Sequence, residues 1–207
     1  MYLPPPFKQE DLPGLHALMR AHPLATLVVN TEAGLLANHV PLELAEDGPY
    51  GTLRGHVARA NPLWRAYREG SEVLAIFHGP NGYISPNFYP SKAVTGEVVP
   101  TWNYAVAHAR GTLRFTHDAA WLHALVTRLT DHHEQVSAHP WAVADAPPAF
   151  TASQVGLIVG LELPVSSLVG KFKLSQNRTE TDRQGVREGL GARGGEAATE
   201  MLGLLKP

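Results

Sequence analysis

Three stretches of the sequence carry side chains able to do chemistry. The first runs from Thr52 to Pro62. Strand alternation there puts Arg54 and His56 on one face and Leu53, Gly55 and Val57 on the other. Arg59 follows in the connection, and Asn61-Pro62 has the form of a helix start, Asn as N-cap and Pro at the first helical position. A helix N-terminus flanked by arginines makes a phosphate cradle. The same residues also read as an ordinary capped helix beside two solvated arginines, and both readings stand. The second stretch is residues 77–104, which hold six of the 16 aromatic side chains. Rings interleaved with Ser85, Asn87, Ser91 and Lys92 suit a flat, polar-edged ligand or a subunit interface, or they cover the end of a barrel. The third, Lys171 to Arg178, sets basic and amide donors behind a strand, with Phe172 and Leu174 alternating inward.

Other patterns carry less. Gly189-Leu-Gly191-Ala-Arg-Gly194 matches the dinucleotide-binding spacing but follows a helix instead of a strand, so a flexible helix break is the expectation. His132, His133 and Glu134, with His139 nearby, lack the His-Glu-x-x-His order, and neighbouring helical side chains point about 100° apart. They read as solvated histidines at a helix C-terminus, and no metal is expected. The sequence has no Gly-x-Ser-x-Gly elbow and no cysteine, which removes thiolate nucleophiles, disulfides and iron–sulfur clusters. No carboxylate pair stands out near the basic segment, and no catalytic residue is assigned.

These residues must be positioned by a chain of 207 residues, the length of one domain. Charged residues make up 17%, below the usual quarter, which points to surface covered by a second subunit. Net charge is −2, unevenly spread. Residues 50–115 carry seven basic and three acidic side chains, net +4, so an anion finds its counter-charges there and in the tail. No apolar run has the roughly 18 residues of a membrane span. The opening Met1-Tyr2-Leu3-Pro4 is unlike a signal peptide, so a cytoplasmic location without membrane association is expected.

The predicted elements are a helix over 11–21, a hairpin of strands 24–30 and 35–44, a strand over 50–57 and a short helix from 61 to 70. A strand over 72–78 ends at the turn signature Gly79-Pro80-Asn81-Gly82. A long ordered loop spans 83–101, and a strand covers 102–115. Asp118 caps a helix whose apolar face is Trp121, Leu122, Leu125, Val126 and Leu129. Strands over 155–163 and 168–174 follow, then a helical tail broken at Gly189, Gly191, Gly194 and Gly195. Closely spaced, hairpin-linked strands pair antiparallel. The expectation is a mainly β, α+β barrel with helices packed outside, one domain over 1–207 with 175–207 as a helical C-terminal extension.

The blocks Gly55-His-Val-Ala-Arg-Ala-Asn-Pro62, Tyr83-Ile-Ser-Pro86, Tyr89-Pro-Ser-Lys92, Val99-Pro-Thr-Trp-Asn-Tyr104 and Lys171-Phe-Lys-Leu-Ser-Gln-Asn-Arg178 resemble the signature blocks of the PaiB family. That family is described as FMN-binding negative transcriptional regulators, with a split β-barrel like that of pyridoxamine-phosphate oxidases. The resemblance implies a homodimer with FMN at the subunit interface. It places Thr52, Leu53, Arg54, His56, Arg59 and Asn61 on the phosphate-binding strand and turn, with Arg59 as phosphate partner. Asn38, His39 and Val40 would lie beside the flavin ring. Trp102, Asn103, Lys173 and Arg178 would come from the second subunit. Phe88 stands where a tryptophan is expected. Alternatives are a flavin-dependent oxidoreductase and, further off, a haem-binding or haem-degrading protein, since the chain has 11 histidines. Direct DNA binding is not expected, because no helix pair carries a basic recognition face.

Overall fold

The structure, a computed structural model, describes residues 1–205; the last two positions of the 175–207 extension lie outside the described residues. The elements are β1 (Lys8–Gln9), α1 (Leu12–Ala21), β2 (Leu24–Thr31), β3 (Gly34–Pro41), β4 (Glu43–Ala45), β5 (Thr52–Ala58), α2 (Leu63–Ala66), β6 (Glu72–Ile84), α3 (Lys92–Thr95), β7 (Thr101–Thr112), β8 (Arg114–Thr116), α4 (Ala119–Glu134), α5 (Pro148–Val155), β9 (Ile158–Lys173), α6 (Glu180–Arg193) and α7 (Glu196–Leu204). The strands follow the order β3-β2-β6-β7-β9-β5-β4, with β1 and β8 also on β9. The path does not close on itself. This is the expected split β-barrel class, an antiparallel sheet with flanking helices. Among the described residues no helix is long and apolar enough to cross a membrane.

The chain divides into two compact units, and β6, β7 and β9 each contribute residues to both. One unit comprises Pro23–Ile76 and His108–Leu168. In it, β2 and β3 form the expected hairpin, and Ala25, Leu27 and Val29 point inward, fully buried. β5 lies between β4 and β9, pairing Arg54 with Glu43 on one side and Glu162 on the other. Asp118 caps α4 as expected, its Oδ1 accepting from the backbone N–H groups of Ala120 and Trp121. Leu122 and Leu125 carry the buried stripe of that helix.

The other unit comprises Met1–His22, Phe77–Ala107 and Val169–Pro207. Asp11 caps α1, which buries Leu15, Leu18 and Met19 at helical spacing. The C-terminal helices α6 and α7 supply Val186, Leu190, Ala198 and Met201 to a cluster shared with Ile84, Tyr89 and Leu174.

Four expectations are corrected. Gly79-Pro80-Asn81-Gly82 is not a turn, because β6 runs through it. A Cβ at Gly79 would stand 2.4 Å from Leu18 Cδ1, so the glycine permits a close helix approach and does not mark a chain reversal. Residues 83–101 are not all loop; they contain a 3-10 turn at Pro86–Phe88 and the short α3. The two strands expected over 155–163 and 168–174 are one, β9, which passes through Pro164. Pro164 sits at the last position paired with β5, opposite Thr52, where a missing N–H is tolerated. Finally, α6 continues through Gly189 and Gly191 and ends only at Gly194-Gly195, where φ is 66° and 86°. Gly185 and Gly189 face Phe88, and a Cβ at Gly189 would lie 2.3 Å from that ring.

Candidate functional site

The residues expected to bind a cofactor fall into two groups, one in each unit. In the unit containing β5, the alternation of that strand leaves Arg54 and His56 half-buried while Leu53, Gly55 and Val57 are buried. Arg54 is answered by two carboxylates: its Nε donates to Glu162 at 2.9 Å and its Nη2 to Asp47 at 2.8 Å. A hydrogen bond from Thr52, followed by the Arg54 charge, holds the Asp47 carboxyl below its ordinary range. His56 is pushed below the usual histidine range by burial, and its buried Nδ1 has no partner.

Arg59 is also engaged. Its Nε donates to the Gly156 carbonyl at 2.7 Å and its Nη2 to the Ile158 carbonyl at 3.0 Å, while Nη1 meets His117 Nδ1 at 3.2 Å. Trp64 closes the cluster, its indole donating to the Arg59 carbonyl and its ring set edge-on to His117. Three of the five guanidinium N–H groups are thus used, and two remain. The helix expected to start at Asn61 is a single turn, Leu63–Ala66, with Pro62 at its N-cap position. Four residues align too few peptide dipoles to attract an anion, and the Asn61 Oδ1 already accepts the Leu63 N–H. The phosphate cradle built on a helix N-terminus is therefore not formed.

Asn61 fixes the orientation of a neighbour. Because its Oδ1 is held by Leu63, its Nδ2 must donate, and it does so to Asn38 Oδ1 at 2.8 Å. That leaves Asn38 Nδ2 buried with no acceptor. A buried unsatisfied amide costs roughly 1–3 kcal/mol. On the same strand His39 is exposed and Val40 is buried.

In the other unit, Asn103, Lys173 and Arg178 come together around a cavity of about 90 Å³, while Trp102 contributes its carbonyl and turns its ring outward, edge-on to Tyr83 at 6.1 Å. Lys173 Nζ donates to Thr101 Oγ1 and, at 2.6 Å, to the Trp102 carbonyl. Burial first, and then the charges of Lys171 and Arg178, push its ammonium below the usual lysine range. Asn103 and Ser175 exchange hydrogen bonds, and Ser175 is held at φ 64°, a left-handed conformation that costs a serine energy. The Arg178 guanidinium lies over the Tyr89 ring at 4.7 Å. Sequence reasoning passed over Tyr89 and Ser175 as site residues. The aromatic run was the signal for Tyr89, whereas nothing in the sequence marks a left-handed serine.

The family described as "Putative FMN-binding domain" matches residues 1–167. One relative, the Protease synthase and sporulation protein PAI 2 of Bacillus subtilis, is 30% identical over 100% of this chain and 97% of its own. The chain belongs to this FMN-binding, PaiB-type family. An uncharacterized Emericella nidulans protein is 33% identical over 100% of this chain and 96% of that protein. Both relatives extend beyond residue 167, so the Lys171–Arg178 block is covered by the likeness as well. Among solved structures, an FAD- and haem-binding protein from Mycobacterium smegmatis shares the fold, with a TM-score of 0.61 and 16% identity over 91% of this chain and 80% of that one. The chain is thus an FMN-binding split-barrel flavoprotein.

The residues present fit that cofactor. A flavin ring edge offers carbonyl acceptors, and Asn38 Nδ2 is a buried donor that lacks one. A neutral His56 can face an uncharged ring without a desolvated charge. Arg59 keeps two N–H groups for a phosphate.

Proposed function

We propose that this chain works as a homodimer that holds FMN at the subunit interface and serves in negative transcriptional regulation. One wall of the flavin site is Asn38, His39, Val40, Thr52, Leu53, Arg54, His56, Arg59 and Asn61. Trp102, Asn103, Lys173 and Arg178 of a second copy form the other. The observation that carries the reading is the orphaned Asn38 Nδ2, whose orientation is imposed through Asn61 and whose missing acceptor a flavin would supply. Dimerisation is supported by Tyr83 and Trp102, apolar rings in mutual contact yet 41% and 54% exposed. A regulatory role is supported by the name of the Bacillus subtilis relative, which refers to protease synthase and sporulation. Bound FMN would supply one- and two-electron redox chemistry, and the protein would hold it and set its surroundings.

The test is a flavin titration of wild type and Asn38→Asp. Aspartate keeps the acceptor for Asn61 and replaces the N–H donor with a charged carboxylate oxygen. The variant is expected to bind FMN at least about tenfold more weakly, or about 1.4 kcal/mol. Equal affinity would remove Asn38 from the site. Sedimentation of the loaded protein as a dimer is expected, and a monomer would refute the interface. Anaerobic mixing with NADH or NADPH separates the regulatory reading from that of a flavin-dependent oxidoreductase. Reduction no faster than that of free FMN is expected, and faster reduction would make it an oxidoreductase. The Mycobacterium smegmatis protein binds haem as well as flavin, so a Soret band on adding haem would extend the cofactor set.

A further inference from the structure

We infer that the unit containing residues 77–107 and 169–205 holds an oxyanion site of its own, a pocket for a phosphate-sized group built from Lys173, Arg178, Tyr89, Asn103, Ser175 and Thr101. The pocket has about 90 Å³ of room. That is about three waters at roughly 30 Å³ each, enough for a tetrahedral oxyanion and far too little for a flavin ring.

Its lining is chemically one-sided. Two cations reach it, and neither Lys173 nor Arg178 forms an ion pair with a carboxylate among the described residues. Lys173 has two acceptors, Thr101 and the Trp102 carbonyl, for three ammonium protons. Lys171 lies close enough to repel it, and its own ammonium is turned to the Tyr2 carbonyl and to the rings of Tyr2 and Tyr104. The acid near Tyr89, Asp182, is buried and committed to Ser91, accepting from its N–H at 3.1 Å and its hydroxyl at 2.8 Å. Three cations therefore crowd together, and the nearby carboxylate, Asp182, has its oxygens turned to Ser91 and not to them.

A second, independent feature points the same way. Tyr89 is 2% exposed, lines this pocket, and has a buried hydroxyl that makes no hydrogen bond of ordinary geometry. Arg178 and Ser175 stand near enough to favour its ionised form, yet burial dominates and raises its pKa, so the phenol stays protonated and is a donor. A buried phenolic O–H without an acceptor of ordinary geometry, beside a guanidinium with no carboxylate partner and an ammonium with a spare proton, is a donor set for an oxyanion. Ser175 reinforces this. Asn103 pins it in a strained left-handed turn whose next carbonyl bond, Arg178 N–H to Ser175 O, brings Arg178 back over Tyr89.

The shared chemistry is a phosphoryl oxyanion, and its source is either the 5′-phosphate of FMN or a second phosphate-bearing molecule. The flavin source rests on the reading given under Proposed function; the pocket does not. The test is calorimetric titration of the full chain with inorganic phosphate, flavin-free and FMN-loaded, in wild type, Arg178→Gln and Tyr89→Phe. Wild type is expected to bind phosphate in at least one form, at least tenfold more tightly than Arg178→Gln and several-fold more tightly than Tyr89→Phe. Tyr89→Phe keeps the ring and guards against loss of folding. If the source is FMN, FMN competes with phosphate, and its advantage over riboflavin collapses in Arg178→Gln. If the source is a second molecule, the FMN-loaded protein still takes phosphate, and FMN keeps its advantage over riboflavin in Arg178→Gln. Failure to bind FMN overturns the flavin reading and leaves the flavin-free phosphate titration to decide the pocket. Phosphate affinity equal in wild type and both variants, in both forms, overturns the pocket.

Discussion

Replacing Arg59 with alanine separates two roles that the sequence leaves merged. The side chain ties Gly156 and Ile158, at the entry to β9, to the turn after β5, and it meets His117 from the segment before α4. A hydrogen bond to a charged group is worth roughly 1.5–3 kcal/mol when well shielded. Here Gly156 and His117 are exposed, so water replaces much of what those contacts give, and only the Ile158 bond is partly shielded. The expected loss for Arg59→Ala in the flavin-free protein is therefore about 2 kcal/mol rather than the sum of three bonds. For a chain of this length that corresponds to a fall in Tm of about 4–8 °C. Urea unfolding with an unchanged m-value is the assay. FMN affinity, measured in parallel, reports the two N–H groups left over. A loss of stability below about 0.5 kcal/mol, the level of an ordinary surface substitution, would refute the clamp and leave Arg59 as a ligand contact alone.

Two further outcomes follow from particular atoms. His56 is held neutral by burial, with its pKa below the ordinary 6.5. Below that pH the unfolded chain takes up a proton that the folded chain refuses. Stability therefore falls as pH drops from about 6.5 toward the folded pKa, by at most about 1.4 kcal/mol per pH unit. His56→Asn is expected to flatten this slope in denaturant titrations at pH 7.5, 6.5 and 5.5, and an unchanged slope would refute the assignment. In α6, a Cβ at Gly185 would stand 2.0 Å from the Phe88 carbonyl, whereas one at Gly191 would meet nothing within 4 Å. Gly185→Ala is expected to cost about 2–3 kcal/mol and Gly191→Ala to add about 0.5–1 kcal/mol. Thermal melts giving both changes the same sign would refute that packing.

Local signals in the sequence located the parts of the fold that depend on local physics. Asp118 and Asp11 mark their helices because a carboxylate satisfies free N–H groups wherever the chain enters a helix. The β2–β3 hairpin was legible from its β-branched residues and the turn between them. What was misread turned on distant partners. Gly79 looks like punctuation until Leu18 is known to lie against it, and Gly189 looks like a helix break until Phe88 is placed beside it. The site divides in the same way. The residue types at Arg54 and Arg59 suit an anion, but Glu162 and Asp47 take two donors of Arg54, and Gly156 and Ile158 take two of Arg59, from far along the chain or from another turn. The orphaned amide of Asn38 could not be foreseen, since it depends on Leu63 fixing Asn61 and Asn61 fixing Asn38.

The antiparallel pairing of Lys8 with Lys171 and Gln9 with Gly170 has a consequence for how the protein is made. The first strand in the chain, β1, must wait for partners more than 160 positions later. At roughly 5–20 residues per second, that is about 10–30 s of synthesis with β1 unpaired. Nor can either compact unit be finished early, because three of the four divisions between them fall inside β6, β7 and β9, and only the one at residues 22–23 lies in a connection. Truncation at any of those three severs a strand. Gene fusion or recombination can therefore keep or discard this protein only as a whole, and its last strand is the one on which the order of assembly depends.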